Sequence, residues 1–377
     1  MTALNSSTLP PKPKEKWLSL QVIRGLAALM VVVSHLSHWK CFTPGQVFEG
    51  AQGVAVCLGV FSVYVFFCLS GIVMMIAHGK EMGAPSKDRP ALFRRFWIKR
   101  VLRLYPVYLL FLAVSFLLAR AGFVGIDASI GRLSSWKGFF AAISLLQPAH
   151  VGIATAWSLC FEIMFYALFS LFLVDMRAGA AVTTLAVAGI VLSWAGVFGE
   201  IWVASPINFF FAIGILLFAF RQRLPWSTRW SPVAVALSLA LFGGAALWFG
   251  TLSVIDSPSA FAMVAVALVL LFLPALKGKV STPGIGSRIG LWLGNISYSL
   301  YLSHEMVQMV VYRYAGRPIG PLRIALYVGL PLIVAWLSYR WIERPTMQWA
   351  ERWTRRRTPE VPLPPSVSEA KTISPSP

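Results

Sequence analysis

The chain has 377 residues, 57% of them hydrophobic and 12% charged, with a formal net charge of +19 and fifteen tryptophans. Soluble domains carry about a quarter charged residues, so this composition places the chain in the membrane class and excludes an ordinary soluble domain. The excess Lys and Arg lie in loops between apolar runs rather than along one polar face, which excludes a nucleic-acid-binding protein.

Residues 1–16 form a polar tail with Lys12, Lys14 and Lys16. The apolar run after it, Trp17 to Trp39, is too long for the core of a signal peptide. No small-residue cleavage site follows, so it is expected to persist as a helix. A spanning helix needs ~20 apolar residues. Ten spans are expected on that rule, at approximately 18–38, 54–77, 101–119, 156–175, 179–198, 205–220, 232–250, 258–276, 290–312 and 321–342. The apolar stretch 138–148 is too short to cross and is expected to be interfacial or re-entrant. Residues 346–377 are basic and rich in Pro and Ser, and are expected to form a largely disordered tail. The expected fold is all-α: one polytopic membrane domain over 17–345 with about ten transmembrane helices. Alternating the spans from a cytoplasmic N-terminus puts 25 Lys and Arg on the cytoplasmic side and 7 opposite, with Arg24 inside the first span. That asymmetry places both termini in the cytoplasm.

Ionisable groups inside spans are costly and mark functional positions. The deepest are Arg24, His35, Glu162, His304 and Glu305. Arg24 and His35, in "RGLAALMVVVSH", are eleven residues apart. On a helix that is three turns plus roughly 20°, or about 16 Å along one face. Arg24 lies toward the N-terminal side of the bilayer and His35 toward the other. The plainer reading is an arginine snorkelling to one surface and a histidine facing headgroups at the other. Arg100 and Arg103, in "RRFWIKRVLRLYPVYLL", are neighbours at i, i+3. Paired guanidiniums suit a phosphate ligand, or serve as a positive-inside anchor. Glu162 sits in the apolar, aromatic run "TAWSLCFEIMFYALF" and calls for a cationic partner, His35 or an arginine. In "LGNISYSLYLSHE", Ser297, Tyr301 and His304 share a face that would line a wet cavity or pack between helices. Cys57, Cys68 and Cys160 lie in apolar runs and, with Cys41, show no metal-ligand spacing, so no metal site is expected.

Six phrases in this order carry a resemblance: "RGLAALMVVVSH", "VFFCLSGIVM" (65–74), "RVLRLYPVY" (100–108), "WSLCFEIMFY" (157–166), "ISYSLYLSH" (296–304) and "IERP" (342–345). Over roughly residues 17–345 the chain resembles the acyltransferase-3 family of bacterial membrane O-acyltransferases, which modify O-antigen, Nod-factor and exopolysaccharide sugars. It departs from the family's wording at Cys160-Phe161 and at Ile163. The resemblance implies acetyl-CoA as acyl donor and a hydroxyl of a cell-surface or lipid-linked carbohydrate as acceptor, in the lipid of the bacterial inner membrane. It implies that Arg24, Arg100 and Arg103 hold the phosphates of the donor. His35 would act as general base or acyl carrier, supported by Glu162, and Tyr298, Tyr301 and His304 would bind the acceptor. The competing class is a secondary transporter of an anionic solute. That reading calls for an internal repeat and paired broken helices, neither of which is visible in the sequence. A purely structural membrane protein would leave the shared face of Arg24 and His35 unexplained.

Overall fold

The computed structural model describes residues 17–37, 49–83, 86–123, 135–197, 201–249, 257–277 and 284–354. Those residues are mostly helical, without strands: α1 Leu18–Ser34, α2 Glu49–His78, α3 Arg89–Arg120, α4 Trp136–Ser144, α5 Trp157–Val174, α6 Met176–Trp194, α7 Phe209–Phe220, α8 Ser231–Phe249, α9 Pro258–Lys277, α10 Ile285–Ala315, α11 Pro321–Ser338 and α12 Arg344–Thr354. Eight helical stretches among them are long and apolar enough to cross a membrane. The other two expected spans are helices of a different character. α7 falls in an apolar stretch of only Pro206–Phe220, and α10 has 31 residues but carries a polar face. The chain is a multi-pass, all-α membrane protein.

Hydropathy located the helices better than their ends. α3 begins at Arg89, twelve residues before the expected 101, because its first three turns are amphipathic rather than apolar. Pro90 sits in its first turn, where its missing N–H costs nothing. The last span does not stop at 342. One wide π-helical turn, Tyr339–Glu343, carries α11 into α12, so the segment read as tail from 346 begins as helix up to Thr354. α12 packs on α3, with Ala350 and Thr354 buried and the rings of Trp349 and Trp353 5.2 Å apart. Residues 1–16 and 355–377 lie outside the described residues. The stretch 138–148 contains the nine-residue α4. Its Ser135 side chain accepts from Gly138 N, and Leu145 at φ 54° turns the chain out of it. Trp136 and Phe140 of α4 are exposed, as an interfacial helix requires.

α6 and α8 show long apolar side chains on the outside, such as Leu185 and Leu247, which suits helices solvated by lipid. Asp175 joins α5 to α6. It accepts from the amides of Arg177 at 2.8 Å and Ala178 at 2.9 Å, and these bonds hold its carboxyl below the usual carboxylate range.

Glycines set the closest contacts. Gly25 of α1 meets Gly290 and Gly294 of α10, where a Cβ on Gly25 would stand 2.5 Å from Gly294 N and 2.7 Å from Gly290 O. This is a small-xxx-small contact, which lets two membrane helices touch through their backbones. Gly25→Val is expected to force α1 from α10 and destabilise the fold by about 2–3 kcal/mol. Monodispersity and thermal unfolding of the detergent-solubilised variant would measure this, and wild-type behaviour would contradict it.

Candidate active site

α1, α2, α3, α5 and α10 enclose an inner cavity of about 130 Å³. Its wall holds Arg24, Ser70, Arg100, Arg103, Ser158, Glu162, Tyr166, Ser297, Tyr298 and Tyr301 among apolar side chains such as Phe66, Phe67 and Leu104. The three guanidiniums are held differently. The close α1–α10 contact brings the Gly294 carbonyl to Arg24, which donates to it from Nε at 3.1 Å and Nη2 at 2.5 Å. Arg100 donates from Nη2 to His78 Nε2 at 3.3 Å and lies 5.4 Å from the Tyr166 ring centre and 5.6 Å from that of Phe96. Arg103 Nη1 reaches the Met347 Sδ at 3.7 Å. A thioether is a weak acceptor, and no other side-chain bond of Arg103 occurs among the described residues.

Two carboxylates balance these cations. Glu162 accepts from the Tyr166 hydroxyl and from Ser70 Oγ at 3.3 Å. Glu343, 1% exposed, accepts from Ser299 Oγ at 2.7 Å and has Arg103 and Arg24 as countercharges. Three guanidiniums against two carboxylates leave the chamber cationic and matched to an anion.

A second, larger cavity of about 740 Å³ adjoins the first. Ser34, His35, Tyr64, Thr155, Trp157, Phe161, Trp202, Ser205 and Glu305 line it, so its lining mixes aromatic and polar side chains. Val63 and Tyr301 line both cavities. At this shared boundary the Tyr301 and Ser158 hydroxyls are hydrogen-bonded at 2.8 Å. Along α1 the first cavity's Arg24 precedes the second cavity's Val31 to His35. Along α2 the order is reversed, from Val56 in the second to Met74 in the first. The two cavities are therefore stacked in depth between antiparallel helices.

His35 opens a single 3₁₀ turn at the end of α1, His35–Ser37. Its Nδ1 lies 2.9 Å from the Val31 carbonyl. A carbonyl only accepts, so Nδ1 carries the proton and the neutral ring keeps its basic lone pair on Nε2. The His304 ring meets His35 edge to face, with centroids 4.7 Å apart. His304 is itself buried, with Nδ1 donating to the Tyr301 carbonyl at 2.8 Å.

Arg24, Arg100 and Arg103 thus come together in one chamber, and His35 stands in the next. Glu162 shares the arginines' chamber and not that of His35, whose tautomer is set by Val31 instead. Tyr298 also faces the arginine chamber, donating to the Leu104 carbonyl at 2.7 Å. Tyr301 stands at the boundary, and His304 packs behind His35 rather than lining either cavity. Sequence reasoning passed over His78, which ends α2 one residue beyond the expected span, and Glu343, which follows the expected end of the last. Both are charged or titratable residues that close an apolar run and so read as its boundary. The signal for Glu343 was the phrase "IERP" itself.

The model of a family described as "Acyltransferase domain" matches residues 17–340. The chain is 26% identical to acyltransferase MdmB of Streptomyces mycarofaciens, over 94% of this chain and 97% of that protein. It is 28% identical to the exopolysaccharide production protein ExoZ of Rhizobium meliloti (strain 1021), over 77% of this chain and 90% of that protein. No solved structure matches it. With the match running through every helix that builds the two chambers, the chain belongs to the acyltransferase-3 family of membrane acyltransferases.

Proposed function

We propose that the protein moves an acyl group, acetyl in the simplest case, from cytoplasmic acyl-CoA to a hydroxyl of a carbohydrate on the far side of the bacterial inner membrane. The observation that carries this reading is the stacking of a cationic chamber and a histidine chamber that meet at the Tyr301–Ser158 hydrogen bond. The excess of Lys and Arg on the N-terminal side supports a cytoplasmic mouth for the cationic chamber. The inner cavity is narrow. It suits a slender pantetheine arm, with the nucleotide phosphates held at the mouth by Arg103, Arg100 and Arg24.

The thioester then meets His35 past Tyr301. His35 Nε2 takes the proton of the acceptor hydroxyl as its oxygen attacks the thioester carbonyl. The C–S bond breaks, and the imidazolium returns the proton to the leaving thiolate. In the other route the same Nε2 attacks the carbonyl first, the C–S bond breaks and the thiolate leaves an Nε2-acyl-imidazolium; the acceptor hydroxyl then attacks that carbonyl, the C–N bond breaks, and the hydroxyl proton passes to the thiolate. Both routes use the lone pair that the Val31 carbonyl directs to Nε2. A lining that combines Trp157, Phe161 and Trp202 with Ser34, Ser205 and Glu305 suits a sugar, which offers an apolar ring face and hydroxyl edges.

Surface glycan released from cells with and without the gene tests this by mass spectrometry. An acetyl increment of glycan mass that disappears with the gene is the expected result. Unchanged glycans, together with no acetyl-CoA turnover in membranes given those glycans as acceptor, would overturn it.

A further inference from the structure

His78 takes no part in the chemistry described above, yet it is tied to it. The residue ends α2 and is 4% exposed, with its ring edge-on to Phe96 at 5.1 Å between centroids. Arg100 Nη2 lies 3.3 Å from His78 Nε2. A guanidinium has only donors, so His78 Nε2 accepts and carries no proton. The proton then sits on Nδ1, which donates to Glu81 Oε2 at 2.6 Å. Glu81 in turn has Arg95 Nη1 4.0 Å from its other oxygen. Glu81, His78 and Arg100 form a directed chain whose sense is fixed at both ends. Arg100 is anchored on one edge by His78 and flanked by the rings of Phe96 and Tyr166. Its Nε is buried with no hydrogen-bond partner among the described residues, in a side chain that lines the cationic chamber.

We propose that His78 is a positioning residue: it holds the Arg100 guanidinium so that its remaining donors face the chamber, with Glu81 fixing the tautomer that makes this possible. The inference rests on the reading that Arg100 binds donor phosphate. A guanidinium aimed in advance loses less rotamer entropy when the anion arrives. The chain also explains a bare imidazole beside an arginine, since His78 protonated on both nitrogens would have nothing to accept with and would repel Arg100. The groups facing His78 are Glu81 on the turn after α2, Arg100 and Lys99 on α3, and the Phe96 and Phe169 rings.

The test is CoA binding to the full-length protein in detergent, measured by titration calorimetry, which needs no acceptor. His78→Phe keeps the ring and its packing but not the acceptor atom, and is expected to weaken CoA binding about tenfold, as for loss of a hydrogen bond to a charged group. His78→Gln places an amide oxygen near the position of Nε2 and is expected to restore most of the affinity. In an Arg100→Ala background His78→Phe should cause no further loss. Overturning results are normal affinity in His78→Phe, a Gln variant as weak as the Phe variant, or a full His78→Phe effect without Arg100. If Arg100→Ala itself binds CoA normally, the donor reading fails and takes this proposal with it. If Arg100→Ala is weak while His78→Phe is normal, only the positioning role fails. Should the Phe variant not fold, Glu81→Ala asks the same question: weakened binding supports the chain and unchanged binding overturns it.

Discussion

His35→Ala is expected to lower acyl transfer by about 10³-fold, since in the proposed mechanism this one residue supplies either the general base or the acyl carrier. CoA affinity should stay at the wild-type value, because His35 and the three arginines line different cavities. The measurement is acetyl transfer in membranes holding equal amounts of the two proteins. A transfer rate near wild type would sink the mechanism. The same protein separates the two routes. With radiolabelled acetyl-CoA and no acceptor, an acyl carrier retains label on the wild-type chain and loses it in His35→Ala, whereas a general base retains none in either. Ser34 and Val31 fold the ring onto the end of α1 in either case, so the lone pair that reacts is the same.

Arg103→Ala is expected to raise the donor KM by about 10- to 100-fold with a smaller change in kcat, the usual scale for charge-assisted hydrogen bonds to a phosphate. Of the three chamber arginines it is the least committed. Arg24 closes on the Gly294 carbonyl and Arg100 on His78, whereas Arg103 reaches a thioether. Its substitution should therefore harm binding more than folding. Arg103→Lys keeps the charge and loses the fork, so its KM should fall between the wild type and the Ala variant. Steady-state kinetics over a range of acetyl-CoA concentrations would show this. An unchanged KM in Arg103→Ala would move the donor phosphates elsewhere.

The helices were legible because lipid demands long apolar runs, and each expected span has a helix at its centre. Their ends were not, because two kinds of residue close a run. The amphipathic start of α3 is helical but charged, so hydropathy discards Arg89 to Arg100 as loop. The π-helical turn leaves no compositional trace, so Glu343 looked like the first residue beyond the last span, when it is among the most buried polar residues described. The same limit applies within the site. Helical spacing put Arg24 and His35 on one stripe, and the structure sets them in adjoining cavities. Spacing says nothing about partners across helices, and so the cationic partner of Glu162 stayed open between His35 and an arginine; the structure sets it with the arginines. In the structure it answers to Tyr166 one turn away and to Ser70 on α2. Likewise, nothing in "SYSLYLSHE" tells which tyrosine faces which chamber, because that depends on the close approach of α10 to α1 that Gly25, Gly290 and Gly294 allow.

The hydroxyl pair of Tyr301 and Ser158 has a consequence for the cell as well as for the enzyme. A polar shaft running from one face of a bilayer to the other conducts protons, and a membrane that stores energy as a proton gradient cannot tolerate one. Here two cavities meet at a phenol and the Val63 side chain, which line both. Under the proposed function the donor arm would displace that phenol while its phosphates stay anchored behind it, and would fill the passage it opens. Group transfer of the proposed kind would thereby be uncoupled from ion leakage.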